Sequence, residues 1–82
     1  MIMELGNKMD IRKISVGPDY KNGAMHYIVG QKVLSDSHEV RHIRHLENGR
    51  IDIYIANIKG EIVLWKSFTP NMPIAIEYNI QF

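Results

Sequence analysis

Apolar and polar residues alternate most cleanly at the C-terminal end of the chain. Ile74, Ile76, Tyr78, Ile80 and Phe82 fall on one side of an extended segment, and Ala75, Glu77, Asn79 and Gln81 fall on the other. That period of two is the mark of a half-buried strand. The same pattern sets Ile51, Ile53 and Ile55 against Asp52, Tyr54 and Ala56. Between these two, Glu61 to Phe68 is almost continuously apolar, which predicts a central strand covered on both faces. Asp10 to Val16 reads as a strand with Ile14 and Val16 on one face. Ala24 to Leu34 reads as another, with Met25, Tyr27, Val29 and Val33 opposite His26, Ile28, Gly30 and Lys32. Gly30 inside it points to a bulge or a close backbone approach.

Turn residues separate these segments. Pro18 restricts Gly17, so Gly17 to Gly23 is a loop, with Asn22-Gly23 a turn of positive φ. Ser35-Asp36-Ser37 and Asn57 to Gly60 are turns, and Thr69-Pro70-Asn71-Met72-Pro73 is a rigid connector. Residues 1–9 are Met-rich without a period, which predicts a loosely ordered N-terminus or a short edge segment.

Residues 38–47 carry two patterns at once. Val40, Ile43 and Leu46 recur every third residue, Asp36 with Glu39 resembles a capping box, and Gly49 could follow a C-cap. Against a helix, Glu47-Asn48-Gly49-Arg50 runs directly into the Ile51 strand, and Asn-Gly is a hairpin signal. A strand is favoured, with one short helix over 36–47 as the alternative. The fold expected is mostly β: one domain over 1–82, a single small antiparallel meander sheet or partly open barrel of about five to six strands. A terminal strand of this kind closes a barrel or lies at an edge, where it invites a second chain. A homo-oligomer is therefore expected.

Composition narrows the setting. With 45% hydrophobic residues in 82, the chain can form one core and no second. A core of that size buries only roughly 60–65% of the unfolded surface, so association would add useful buried area. There is no cysteine, which fits a reducing cytosol and excludes thiolate metal sites and thiol nucleophiles. No apolar run approaches the ~20 residues of a membrane span, and the first residues lack the pattern of a signal peptide. The expected location is cytoplasmic. The net charge of +1 offers no overall field for nucleic acid, so any attraction must come from local clustering.

The stretch Ile14-Ser15-Val16-Gly17-Pro18-Asp19-Tyr20-Lys21-Asn22-Gly23-Ala24-Met25-His26-Tyr27-Ile28-Val29-Gly30-Gln31 resembles a signature of small uncharacterised proteins of tailed bacteriophages. Trp65-Lys66-Ser67-Phe68 and Met72-Pro73-Ile74-Ala75-Ile76-Glu77-Tyr78-Asn79 are similar to their ending. The resemblance covers most of residues 11–82 and transfers no catalytic residue. It implies a phage protein made in a host cytosol, of the kind that binds a host macromolecule or counters host immunity, sometimes as a sponge for cyclic nucleotide signals. No sponge motif is present, so that last step is analogy.

The densest basic segment is His38, Arg41, His42, Arg44 and His45, with Arg50 beyond the turn. Arginine offers a bidentate fork to phosphate, and histidine becomes cationic beside an anion. The bland alternative is a solvated face offset by Glu39 and Glu47. As metal ligands, His38, His42 and His45 would share a helix face, whereas on a regular strand His38 and His42 share one and His45 points away. No carboxylate stands at a diagnostic spacing, so no metal site and no cofactor is expected. The loop Gly17 to Gly23 offers Tyr20, Lys21 and Asn22, followed by His26, for gripping an anion or a partner, or is an ordinary turn. It lacks the glycine-lysine spacing of a phosphate loop. Trp65 beside Lys66 reads as core more readily than as a stacking platform, and Tyr54, opposite the isoleucine face, is the aromatic best placed for exposure. Ser35 and Ser37 near His38 make no triad, and the acids are scattered, so no enzyme is indicated.

These residues support three functions. The first is a non-catalytic phage counter-defence protein that sequesters a small anionic (cyclic) nucleotide. Its candidate ligand residues are Tyr20, Lys21, Asn22, His26, Arg41, His42, Arg44, His45 and Tyr54. The alternatives are a protein-binding inhibitor of a host enzyme or defence factor, and a small single-strand nucleic-acid-binding module.

Overall fold

A computed structural model of the chain describes residues 11–19 and 23–79. The N-terminal segment 1–9, the loop residues Tyr20, Lys21 and Asn22, and the end of the last strand at Ile80 and Phe82 lie outside the described residues. Within them the fold is all β, with no helix. The strands are β1 (Ile11–Asp19), β2 (Gly23–Ile28), β3 (Lys32–Val33), β4 (His38–His45), β5 (Ile51–Asn57), β6 (Ile62–Phe68) and β7 (Ile74–Tyr78). They form two antiparallel sheets, ordered β2-β1-β7 and β3-β4-β5-β6, one of them curled as a half-barrel. The helix alternative over 36–47 is thereby corrected: His38 to His45 form strand β4, with turns on either side.

The three isoleucines of β5 organise the core. Ile51, Ile53 and Ile55 are buried, and across the ladder Ile53 faces Ile43 and Ile55 faces Val40. Ile11, Ile14, Val16 and Tyr27 of the first sheet close over them. Each fully buried side chain of this size contributes about 1.5–3 kcal/mol of transfer free energy. The other face of β5 is covered too. Asp52 is buried there between Arg44 and Ser67, and Ala56 between Glu39 and Ile62. The doubly covered central strand is therefore β5. The expectation that Glu61 to Phe68 would fill that role is corrected, because β6 is the outermost strand of its sheet among the described residues.

The three-residue spacing of Val40 and Ile43 has a strand explanation. The register shifts between Val40 and His42, so Arg41 is an extra residue in β4. A bulge of this kind lets two apolar residues three apart share one face of a strand. A second shift in the β5–β6 pairing makes Trp65 the extra residue of β6, and a third makes Arg12 the extra residue of β1 against β7.

Ala24 to Leu34 is not one strand. The chain turns at Val29-Gly30 and passes from the first sheet to the second. The Val29 N–H donates to the Arg12 carbonyl, and the Gly30 N–H donates to the Val40 carbonyl at 2.8 Å, so the corner is bonded to both sheets. Gly30 has φ +98 and open space around its missing Cβ, so a backbone angle, not a close approach, calls for glycine here. The next turn is strained. Leu34, Ser35 and Asp36 all hold positive φ, held by the Ser37 N–H and hydroxyl, which both donate to the Leu34 carbonyl.

The two remaining hairpins share one design. Leu46 to Arg50 and Asn57 to Glu61 each close a three-residue loop with a glycine of positive φ, the arrangement that follows a type I turn with a bulge. At Gly49 a Cβ would also lie 2.9 Å from the Pro70 Cβ of the connector, whereas at Gly60 it would meet nothing. The glycines should therefore respond unequally to substitution. Gly60→Ala is expected to cost roughly 1–2 kcal/mol from the backbone angle alone, and Gly49→Ala distinctly more. Urea denaturation of the two variants checks this; equal losses would show that the Pro70 contact carries no weight.

Candidate functional site

The shortness of β3 leaves much of β4 unpaired on one side among the described residues. β3 pairs only with His38 and Glu39, so β4 from Arg41 onward has no neighbour on that side among the described residues. The start of β1 and the end of β7 come close to this bare length, and a groove of about 370 Å³ runs between them. Ile11, Val29 and Ile43 give it an apolar wall. Arg41, His42 and Arg44 supply its polar side, with Asn79 at one end. Among the described residues no carboxylate lines it.

The bulge at Arg41 decides which residues meet here. Both Arg41 and His42 are exposed, while Val40 and Ile43 on either side of them are buried. Bulges re-aim side chains in this way. Arg44 lies opposite Asp52 in the ladder, yet the Asp52 carboxylate accepts a hydrogen bond from Ser67 Oγ at 2.5 Å, and Ser67 in turn accepts from Arg50. Among the described residues no carboxylate comes within 4.0 Å of Arg41 or Arg44; the ion pairs found there are Arg12 with Glu77 and Lys32 with Glu39. Two guanidinium groups thus stand beside apolar surface with no described carboxylate to neutralise them, which favours a phosphate or carboxylate ligand with an apolar part.

A second groove, of about 440 Å³, lies on the other side of Arg41 and is lined by Lys32, Asp36, His38 and Glu39 among others. Its charges cancel. Lys32 pairs with Glu39 at 3.8 Å, and Asp36 adds a negative charge. His38 Nδ1 lies 2.7 Å from Ser37 Oγ. Of the two grooves, the one that no described carboxylate lines is the better suited electrostatically to an anion.

The structure brings some candidate residues together and not others. Arg41, His42 and Arg44 share the groove. Tyr54 pairs with His42 across the ladder and is half-buried on the face away from the isoleucines, but it does not line the groove. His45 is exposed at the end of β4, opposite Ile51. His26 stands on β2 with Nδ1 2.8 Å from Ser15 Oγ and lines neither groove. Tyr20, Lys21 and Asn22 lie outside the described residues. The bulge also corrects the regular-strand placement of the histidines. His38 pairs with Asn57 on the isoleucine side of the sheet and His42 with Tyr54 on the opposite side, so these two do not share a face. Sequence reasoning missed Ile11, Val29 and Asn79, whose part in the groove depends on how the sheets meet. No local signal carries that.

Trp65 is packed, not displayed. Its ring meets that of Tyr27 edge-on at 5.8 Å, Phe68 lies at the same distance from Tyr27, and Lys66 Nζ sits 4.8 Å from the Trp65 ring centre. This cluster joins β6 to β2 across the interior and leaves the indole poorly placed to stack on a base.

No family model, curated protein or solved structure matches the chain, so the chemistry of the site rests on its own residues. No group of three His, Asp or Glu side chains among the described residues could hold a metal ion. No helix there is long and apolar enough to cross a membrane.

Burial in the aromatic cluster raises the Tyr27 hydroxyl above its ordinary value of 10.0, because the phenolate would lose its hydration. The folded state then holds the proton more tightly than the unfolded state. The linked stability is fully present below the unfolded value and is lost as pH rises through the raised folded value. Tyrosinate absorbance should show a late-titrating component that Tyr27→Phe removes, and the same substitution should flatten the alkaline fall in stability. A late-titrating component that persists in the variant would show that it belongs to another tyrosine.

Proposed function

We propose that this chain is a non-catalytic binding protein that takes a small anionic nucleotide into the groove between β4 and the start of β1. One observation carries the proposal: Arg41 and Arg44, neither paired to a carboxylate among the described residues, flank an apolar wall of Ile11, Val29 and Ile43. Arginines can fork onto phosphate oxygens while a base or sugar lies against the apolar wall. A volume near 370 Å³ falls within the range of small-molecule sites, roughly 300–1,000 Å³, and suits a small ligand rather than a polymer. His42 adds a further donor on the same rim. In the setting implied by the phage resemblance, sequestering such a signal would blunt a host defence.

The single-strand nucleic-acid alternative has less support. Trp65 is engaged with Tyr27 and Lys66, and the chain carries a net charge of only +1. Titration calorimetry against a panel of cyclic mono-, di- and trinucleotides is the direct test. Micromolar binding is expected for at least one member. Arg41→Ala or Arg44→Ala should each weaken it by about tenfold or more, the loss of one charge-assisted hydrogen bond of roughly 1.5–3 kcal/mol. Absence of micromolar binding across the panel, or binding indifferent to both substitutions, would overturn the proposal.

A further inference from the structure

The open edges of the two sheets are not equally protected. β3 is two residues long, too short to template another strand. β7 starts directly after Pro73 and carries Glu77, whose carboxylate pairs with Arg12. β6 carries a bulge at Trp65 and one charge at Lys66, but its first three residues, Ile62 to Leu64, have no such device. It runs for seven residues without Pro or Gly, and beyond it lies no strand among the described residues. Ile62, Val63 and Leu64 are 46%, 52% and 53% exposed in succession, and Ile58 at the adjoining hairpin tip is 95% exposed. Four large aliphatic side chains flank this unpaired ladder, Ile62 and Leu64 on one face and Val63 on the other, with a combined exposed area on the order of 300–600 Å², the size at which apolar surface on a monomer signals a contact.

We propose that β6 is a self-association edge: two copies of this chain pair their β6 strands antiparallel about a two-fold axis at Val63. Directly opposed residues in an antiparallel pair share a face. Leu64 and Ile62 share the face of Tyr54 and Ala56, and Val63 shares the face of Ile55. An axis at Val63 sets Ile62 against the partner's Leu64 and Glu61 against the partner's Trp65, with faces matched over residues 61–65. An axis at Leu64 would match only residues 63–65, because the bulge at Trp65 reverses the alternation beyond it.

Charge favours a second copy as the occupant. Lys66 is the one charged residue within β6, and the Val63 axis brings it to the partner's Gly60 and Glu61 end. No like charges are opposed. The apolar match is also supplied by the chain itself, since each copy brings the same aliphatic row. Doubling the patch gives roughly 600–1,200 Å² in total, the lower end of specific interfaces, so the dimer should be reversible and of micromolar strength. The inference rests on neither the groove nor its ligand.

The chain has no cysteine, which permits a clean crosslinking test. Opposed residues in an antiparallel pair have Cα atoms about 4.5–5.5 Å apart, within disulfide range. Under mild oxidation Val63→Cys should form a disulfide dimer, while Met25→Cys, 54% exposed on β2, should stay largely monomeric. In sedimentation velocity the wild type should be dimeric at high-micromolar concentration and dissociate on dilution, and Leu64→Lys should be monomeric throughout. A wild type monomeric at every concentration overturns the proposal. So does a dimer that survives folded Leu64→Lys, or Val63→Cys crosslinking no faster than Met25→Cys. If Leu64→Lys fails to fold, the crosslink comparison decides alone.

Discussion

The ladder on both sides of β5 is the constraint from which the rest of the structure follows. Ile51, Ile53 and Ile55 must all face the first sheet, and the pleat then dictates the face of every residue paired to them. β4 and β6 meet this demand only by inserting one extra residue each, Arg41 and Trp65. One insertion delivers a guanidinium to the surface, and the other places an indole against the tyrosine of β2. A packing requirement in the centre of the sheet thus determines which chemistry reaches its margins.

Much of the fold is legible in the sequence because it is written locally. The period-two rows at Ile51 to Ala56 and Ile74 to Tyr78, and the glycines of the two three-residue hairpin loops, are signals within a few residues. The misreadings have a common cause in pairing. The spacing of Val40, Ile43 and Leu46 imitates a helix because a bulge, visible only against β5, absorbs one residue. Glu61 to Phe68 looks like a doubly covered strand because it is apolar on both faces, but composition cannot distinguish a strand covered by its own fold from one left bare at an edge. The basic cluster of β4 was legible as residue types. Its division into Arg41, His42 and Arg44 at the groove, with His38 and His45 elsewhere, was not, because that depends on the bulge and on the shortness of β3.

Local electrostatics outweigh the overall balance in this molecule. A net charge of +1 conceals two neighbouring grooves of different character. In one, Lys32 and Arg41 are offset by Glu39 and Asp36; in the other, Arg41 and Arg44 stand with no carboxylate among the described lining residues. Asp52, the acid closest to Arg44 by register, is held by Ser67, and Ser67 by Arg50. This chain of hydrogen bonds satisfies a buried carboxylate without drawing on the arginines of the groove.

The return of β7 to β1 has a consequence for how the chain assembles. β3, β4, β5 and β6 are joined by short hairpins, so the second sheet can form from contacts between residues close in sequence. The first sheet cannot, because Ile11 pairs with Tyr78 and Val16 with Ile74, across nearly the whole described chain. Loop-closure entropy sets the order on topology alone: local hairpins first, the long-range pairing last. During synthesis β1 and β2 leave the ribosome as a two-stranded ribbon, too small to hold its shape unaided. They wait, with Ile14 and Val16 uncovered on one flank, until the final strand arrives.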